Sequence, residues 1–379
     1  MAGLFIKRTE HSSALLPSVN RIDSTVTKLS SSPLSKLGEF GLISRIAGRV
    51  SGHESVVTGI GDDAAVTALS TGMQLLTSTD MLLEDVHFRR AWHDPYRLGR
   101  KSLAVSISDI AAMGGIPRWA LLSLAIPAGL SLDFIDDFMR GFLGMAAENQ
   151  VFLIGGDTCS SRSGLTLSVT IMGEQYPDLI VRRSGALPDD DIWVTGTLGD
   201  AALGLKVAEE AGSCRPAGDT SSLCCPPGPP GLEGPDTLLS RLLDPTPRVA
   251  VGRLLAEAGL VSAMVDISDG VLADFGHIAE QSGVGGCIRI DDLPLSVDFR
   301  SQTAALAAIP YQLALSGGED YELCFTACRS NREKIIDCVK KSGIAVTRIG
   351  IVSSSLEVTA VSFDGRPYNN GTDGFNHFT

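Results

Sequence analysis

Apolar residues recur at helical spacing in Glu39–Val50 (Phe40, Ile43, Ile46, Val50), in Tyr96–Met113 (Leu98, Leu103, Ile107, Ile110, Ala111) and in Leu132–Glu148. Shorter apolar runs occupy Met73–Thr79, Trp119–Ile126, Val151–Gly155 and Leu165–Gly173. The first set predicts helices and the second strands. Their alternation predicts an α/β domain ending near residue 180. The second half repeats the style. Strands are predicted at Asp191–Thr195, Ala263–Asp266, Gly286–Ile290, Tyr321–Thr326 and Val346–Val352, and helices at Asp200–Ala211, Thr246–Gly259, Val271–Ser282 and Arg332–Ser342.

Two stretches break the pattern. Residues 1–37 are rich in Ser and Thr without a sustained period, which predicts a flexible extension. Their few acids and several Lys and Arg also fit a transit-like leader, but no continuous apolar signal core is present. Residues 212–236 carry Cys-Cys-Pro-Pro-Gly-Pro-Pro-Gly, which suits neither helix nor strand and predicts a surface insertion. The expected division is therefore 1–37, then a first α/β domain over 38–180, then a second α/β domain over 181–379.

The net charge of -13 argues against a broad nucleic-acid surface, which needs a basic face. No apolar run reaches the roughly 20 residues that span a bilayer. Eight cysteines lie without two pairs at zinc spacing, so free thiols in a reducing cytoplasm are expected.

The chemistry lies in acids with apolar company. Five segments set Asp beside Gly, Ser or Thr next to predicted elements: GIGDDAA (59–65), TSTD (77–80), SISDIAAMG (106–114), IGGDT (154–158) and DISDG (266–270). Each alone reads equally well as a turn or a helix cap. Asp109 is different, because it sits inside a predicted helix, on the side carrying Ser102 and Ser106. A buried Asp costs several kcal/mol unless paired or metal-bound, and Mg2+ favours a few carboxylates together with substrate phosphates. As a set, the acids point to a multi-metal phosphate site. No G-x-x-x-x-G-K-[ST] cradle occurs, so metals would have to offset the charge of any bound phosphates. Arg183 reads as a phosphate contact or a solvated charge, and His87 as a substrate ligand or a structural residue. In GGEDYEL (317–323), Glu319 or Asp320 reads as a substrate contact or as a solvated turn. The aromatic tail GFNHF (374–378) reads as a ring-stacking element or an anchor.

Taken in order, GEFGLI (38–43), GIGDDAAV (59–66), STDMLLEDVHF (78–88), AVSISDIAAMG (104–114), IGGDT (154–158), VTGTLGDAALGL (194–205), PTPRV (245–249), DISDG (266–270), LSGGEDYELCFT (315–326) and GFNHF (374–378) resemble the thiamine-monophosphate kinase family. GDDAA and DISDG alone match only the wider aminoimidazole ribonucleotide synthetase-like superfamily. The resemblance implies a two-domain α/β fold of α+β type, with N-terminal strands forming a homodimer interface. It implies transfer of the γ-phosphate of ATP to thiamine monophosphate. It implies Mg2+ on Asp63, Ser78, Thr79, Asp80, Asp109, Asp157, Asp266 and Asp269, with Asp109, Asp157 and Asp269 central to catalysis. Gly156, Asp157, Arg183 and Ser268 are then ATP contacts, and His87, Glu319 and Phe375 contact the acceptor. Two other readings stay open here: another ATP-using enzyme of the superfamily, and a non-catalytic nucleotide or thiamine-phosphate binder.

Overall fold

The computed structural model describes residues 34–213, 238–305 and 310–368. The tail carrying Phe375, most of the 212–236 insertion and residues 1–33 lie outside them.

The chain opens with α1 (Leu34–Ala47), kinked at Gly38, so its regular part begins where the apolar spacing starts. A short pair, β1 (Val56–Thr58) and β2 (Val66–Thr67), brackets the GDD segment. Then follow β3 (Gln74–Leu83), α2 (Pro95–Ala112), β4 (Ile116–Pro127), α3 (Leu132–Glu148), β5 (Phe152–Ser161) and β6 (Thr166–Gln175). The four long strands form one sheet in the order β3-β6-β4-β5. The start of α2 is fixed by Asp94, whose carboxylate accepts the N–H of Arg97 at 2.9 Å, and by Pro95 in its first turn. Leu98, Leu103, Ile107 and Ile110 of α2 are at most 1% exposed and form the centre of the first core.

The second half contains β7 (Asp191–Thr195), α4 (Asp200–Ser213), α5 (Leu238–Leu243), α6 (Val249–Glu257), β8 (Ala263–Asp266), α7 (Val271–Ser282) and β9 (Gly285–Arg289). It ends with α8 (Val297–Ala305), α9 (Pro310–Ser316), β10 (Leu323–Ala327), α10 (Arg332–Lys340), β11 (Val346–Ser353) and β12 (Val358–Val361). Its six-stranded sheet runs β12-β9-β11-β7-β10-β8. The architecture is α+β, with helices packed on two main sheets beside the short β1–β2 pair.

Three differences from the sequence expectation bear on function. First, β3 continues past Thr79 to Leu83 and β5 past Gly155 to Ser161, so Asp80 and Asp157 lie within strands and not in turns. Gly156 in that extension serves a close approach. A Cβ on Gly156 would sit 1.8 Å from the carbonyl oxygen of Leu122, one pair beyond a bulge in the β4–β5 ladder. Second, β10 starts two residues later than expected, because Tyr321 takes φ 49° and cannot join the ladder. Third, α5, α8 and α9 were not predicted, since short helices buried by tertiary contact carry little periodicity of their own.

Candidate active site

A cavity of about 720 Å³ opens between the two halves, within the usual range for a ligand site. Its acidic end is the cluster of Asp80, Asp109, Asp266, Ser268 and Asp269. The rest of the lining includes the apolar Val86, Phe88, Trp92, Leu205, Leu242 and Leu313 and the Arg89–Glu209 ion pair.

The acidic end is built where α2 crosses β3 and meets the end of β8. Residues two apart on a strand share a face. Ser78 and Asp80 therefore both face α2, where the Ser78 hydroxyl donates to Asp109 and the Ser106 hydroxyl donates to Asp80 at 2.6 Å. Asp266 ends β8 and is almost wholly buried. Burial, then the charge of Asp109, raises Asp80 to about 6 and Asp266 to about 7. Asp109 is also raised by burial, against the Ser78 hydroxyl and the cation of Arg183. Arg183 is exposed, beyond the first sheet, and its field also favours ionised Asp266. Three carboxylates thus share a site in which each raises the cost of charging another. Among the described residues, no group of three or more His, Cys, Asp or Glu side chains is arranged to hold a metal ion. The Ser78 and Ser106 hydroxyls bond the Asp109 and Asp80 carboxylates here.

Four residues of the expected set, Thr79, Gly156, Asp157 and Asp63, lie or point elsewhere. Thr79 alternates to the opposite face of β3, where its hydroxyl donates to the Val169 carbonyl and meets the Thr170 hydroxyl at 3.1 Å. Gly156 and Asp157 lie on β5, at the far edge of the sheet. The ladder runs Asp80–Val169–Leu122–Gly156, and three strand spacings make about 14 Å. Within one chain they border a separate small pocket with α1 and do not reach Asp80. Asp63 is exposed between β1 and β2, its N–H bonded to the carboxylate of Asp62.

The DISDG segment is held by a residue that the sequence reading passed over. One oxygen of Asp274, a turn into α7, accepts the backbone N–H groups of Ser268, Asp269 and Gly270 at 3.0, 3.1 and 3.1 Å. Gly270 itself supplies no side-chain cap. Burial, then the charges of Asp266 and Asp269, pushes Asp274 up to about 8, while the backbone donors pull the other way. An acid four residues beyond DISDG inside an apolar helix was the signal available in the sequence.

The GGEDYE loop divides its acids by alternation. Glu319 and Tyr321 both hold positive φ, a strain of order 1–3 kcal/mol each that recurs at functional sites. The loop is zipped to DISDG by Glu319 N–H to the Ser268 carbonyl and Tyr321 N–H to the Ile267 carbonyl, both 2.8 Å. A Cβ on Gly318 would meet the Ser268 oxygen at 2.3 Å, so only glycine allows this approach. Glu319 borders the cavity and accepts from the Nζ of Lys101, a wholly buried lysine that also donates to the Leu242 carbonyl at 3.0 Å. Asp320 turns inward to accept the Gly199 N–H, and Glu322 is wholly buried against Arg241 and Arg248. The solvated reading of these acids is therefore corrected, and Asp320 is structural. His87 borders the cavity, and its Nδ1 accepts the Leu83 N–H at 3.0 Å, so the proton of the neutral ring sits on Nε2.

Five cysteines among the described residues (Cys159, Cys287, Cys324, Cys328, Cys338) are free thiols. No helix among the described residues is long and apolar enough to cross a membrane.

Comparison with known proteins places this geometry. The family model for AIR synthase related protein, N-terminal domain, matches residues 61–175, and that for the C-terminal domain matches 188–361. Thiamine-monophosphate kinase of Salmonella typhimurium is 36% identical over 342 residues, 90% of this chain and 98% of that one. The crystal structure of thiamine-monophosphate kinase from Stenotrophomonas maltophilia K279a has a TM-score of 0.73 and 38% identity, over 86% of this chain and 96% of that one. AaThiL, complexed with AMPPCP and TMP, has a TM-score of 0.67 and 30% identity, over 92% of this chain and 99% of that one.

Proposed function

Since this chain belongs to the thiamine-monophosphate kinase family of AIR synthase related proteins, we propose that it transfers the γ-phosphate of ATP directly to the phosphate of thiamine monophosphate. The observation that carries this is one cavity lined both by a cluster of buried carboxylates and by a set of apolar side chains. A polyphosphate and a ring-bearing acceptor need those two environments side by side.

The acidic end fits Mg2+ by its donors. Asp80, Asp109, Asp266 and Ser78 offer only hard oxygen ligands, and the burial-raised carboxylates lack a full cationic counterpart. These residues, with Asp63, Thr79, Asp157 and Asp269, would hold the ions. When bound, Mg2+ supplies charge neutralisation between the two phosphate groups. The chain's own part is placement. Asp274 fixes the Ser268–Asp269 main chain toward the nucleotide. Arg183 offers a guanidinium to phosphate oxygens. The acceptor is already a phosphate anion, so no strong general base is required. His87 offers an Nε2 proton and Glu319 a carboxylate to the acceptor. Phe375, in the tail, is proposed to cover its ring.

Asp157 and Gly156 enter this reading through a second copy. β3 and β5 are the two edges of their sheet, and each leaves one side of its backbone unpaired in the sheet order. The face of β3 bearing Leu75, Thr77, Thr79 and Met81 is exposed. Setting β5 of one copy beside β3 of another pairs both free edges and brings Asp157 of one chain toward Asp80 of the other. The homodimer is thus part of the proposal. Residues 38–180 form its nucleotide-binding domain and 181–379 its second domain, in the cytoplasm.

The direct test is ADP release with thiamine monophosphate, against aminoimidazole precursors as controls. Turnover with thiamine monophosphate alone is expected. Turnover only with the controls, or with neither, overturns the assignment.

A further inference from the structure

The seam between β3 and α2 holds a hydroxyl that no role so far uses. Ser78 and Asp80 stand two apart on β3 and share a face. Ser106 and Asp109 stand three apart on α2 and share a face too. The two faces exchange hydrogen bonds in both directions. The Ser78 hydroxyl of β3 donates to Oδ2 of Asp109 on α2. The Ser106 hydroxyl of α2 donates to Oδ2 of Asp80 on β3 at 2.6 Å. Ser106 has no exposure to solvent, so it acts on the cavity only through Asp80. Ser102, about one turn earlier and equally buried, shows the ordinary behaviour of a helical serine. Its hydroxyl donates to the Gly99 carbonyl of its own helix at 2.8 Å. Ser106 reaches across to the sheet instead.

We infer that Ser106 is a positioning residue that fixes the Asp80 carboxylate for a divalent cation at the acidic end of the cavity. The inference rests on the cation part of the function proposed above and adds the residue that orients one of the ligands. The reason is electrostatic. Asp80, Asp109 and Asp266 border one cavity, and ionised carboxylates that close repel one another. Left to itself, Asp80 would turn away from the other two. A donor on Oδ2 fixes the plane of the carboxylate and with it the direction of Oδ1. The cation then meets a ligand already in place, and less ordering has to be supplied at binding. Hydrogen bonds to metal-ligating carboxylates serve this purpose generally, and their loss weakens metal binding roughly 10- to 100-fold.

The test titrates the nucleotide-free full chain with Mn2+, a cation that takes the same hard oxygen ligands as Mg2+, and reads the free ion by electron paramagnetic resonance. Ser106→Ala removes the donor to Asp80. Ser102→Ala is the control, since it removes a hydroxyl from the same buried helix without touching a carboxylate. Ser106→Ala is expected to weaken Mn2+ about tenfold and Ser102→Ala to leave it unchanged. With ADP release as a second readout, the KM for Mg2+ of Ser106→Ala should rise about as much, with a smaller change in kcat at saturating Mg2+. Unchanged Mn2+ affinity in Ser106→Ala, or an equal loss in Ser102→Ala, overturns the inference and leaves the kinase reading standing. Should Ser106→Ala fail to fold, Ser106→Cys decides, because its S–H is only a weak donor of similar size. Weakened Mn2+ in that variant supports the inference, and wild-type affinity overturns it. Failure of the wild-type chain to bind Mn2+ overturns both the inference and the cation part of the proposed function.

Discussion

Arg248 holds Glu322 through two hydrogen bonds, Nε to Oε2 at 2.6 Å and Nη2 to Oε1 at 2.5 Å, and the carboxylate has no exposure to solvent. Arg241 and the Thr195 hydroxyl complete its partners. The cluster ties α5, α6, β7 and β10 to the base of the loop that carries Glu319.

Arg248→Met should therefore cost about 3–5 kcal/mol, as removal of one partner from a buried pair does. Chemical denaturation measures it. The pH dependence has a definite sign. Burial raises Glu322, but Arg248 and Arg241 outweigh it and hold the group below its ordinary 4.5. Its contribution is complete above pH 4.5 and is lost as pH falls through the depressed value. The Tm gap between wild type and Glu322→Gln should be wide at pH 7 and shrink in acid. A gap independent of pH would contradict the pair's ionisation.

Asp266 has the opposite sign. Its folded value, about 7, lies above the ordinary 3.8 because of burial and Asp109. In chelator, the wild type should lose stability as pH rises between those values, and Asp266→Asn should lose less. Its Tm advantage should widen toward pH 8, while turnover falls more than tenfold. Added Mg2+ should raise the wild-type Tm and not that of Asp266→Asn. A Tm gap that stays flat with pH, or equal Mg2+ responses, would remove the basis for the acidic end.

Asp157 tests the second copy. If it serves the neighbour's site, a dimer of one Asp157→Asn chain and one Asp109→Asn chain holds one intact and one doubly altered site. Random mixing and reassembly should then restore roughly a quarter of wild-type activity from two inactive parents. No recovery, despite verified exchange of chains, would place Asp157 with its own chain.

Lys101→Met removes the cation that fixes Glu319 and leaves the Leu242 carbonyl without its donor. The KM for thiamine monophosphate should rise about five- to tenfold, with a smaller change in kcat, as loss of a charge-assisted hydrogen bond predicts. A change confined to kcat would contradict a positioning role.

Asp274→Leu leaves three backbone N–H groups of DISDG without an acceptor. Amide exchange at residues 268–270 should accelerate and turnover fall at least tenfold, while Asp274→Asn, which keeps one acceptor, should be milder. Unaltered exchange in Asp274→Leu would show that the loop is held otherwise.

The long periodic segments were legible because their pattern is local. α2 and α3 follow directly from apolar spacing, and the place of Asp109 within α2 singled it out as an acid that caps nothing. The short α5, α8 and α9 were not legible, since burial and not periodicity stabilises them. Lys101 also escaped notice. A lysine in a helical region reads as solvated until its surroundings are known.

What the sequence determined by itself was the family and the inventory of acids, because both are properties of residue order. Only the tertiary structure decided which acids share a site. Side-chain alternation turns Thr79 from Asp80, and strand order carries Asp157 to the opposite edge of the sheet. A crossing helix brings Asp109 to Asp80 and Asp266. Such distances depend on which strands pair and which faces meet, and those are fixed by long-range packing that no local pattern encodes.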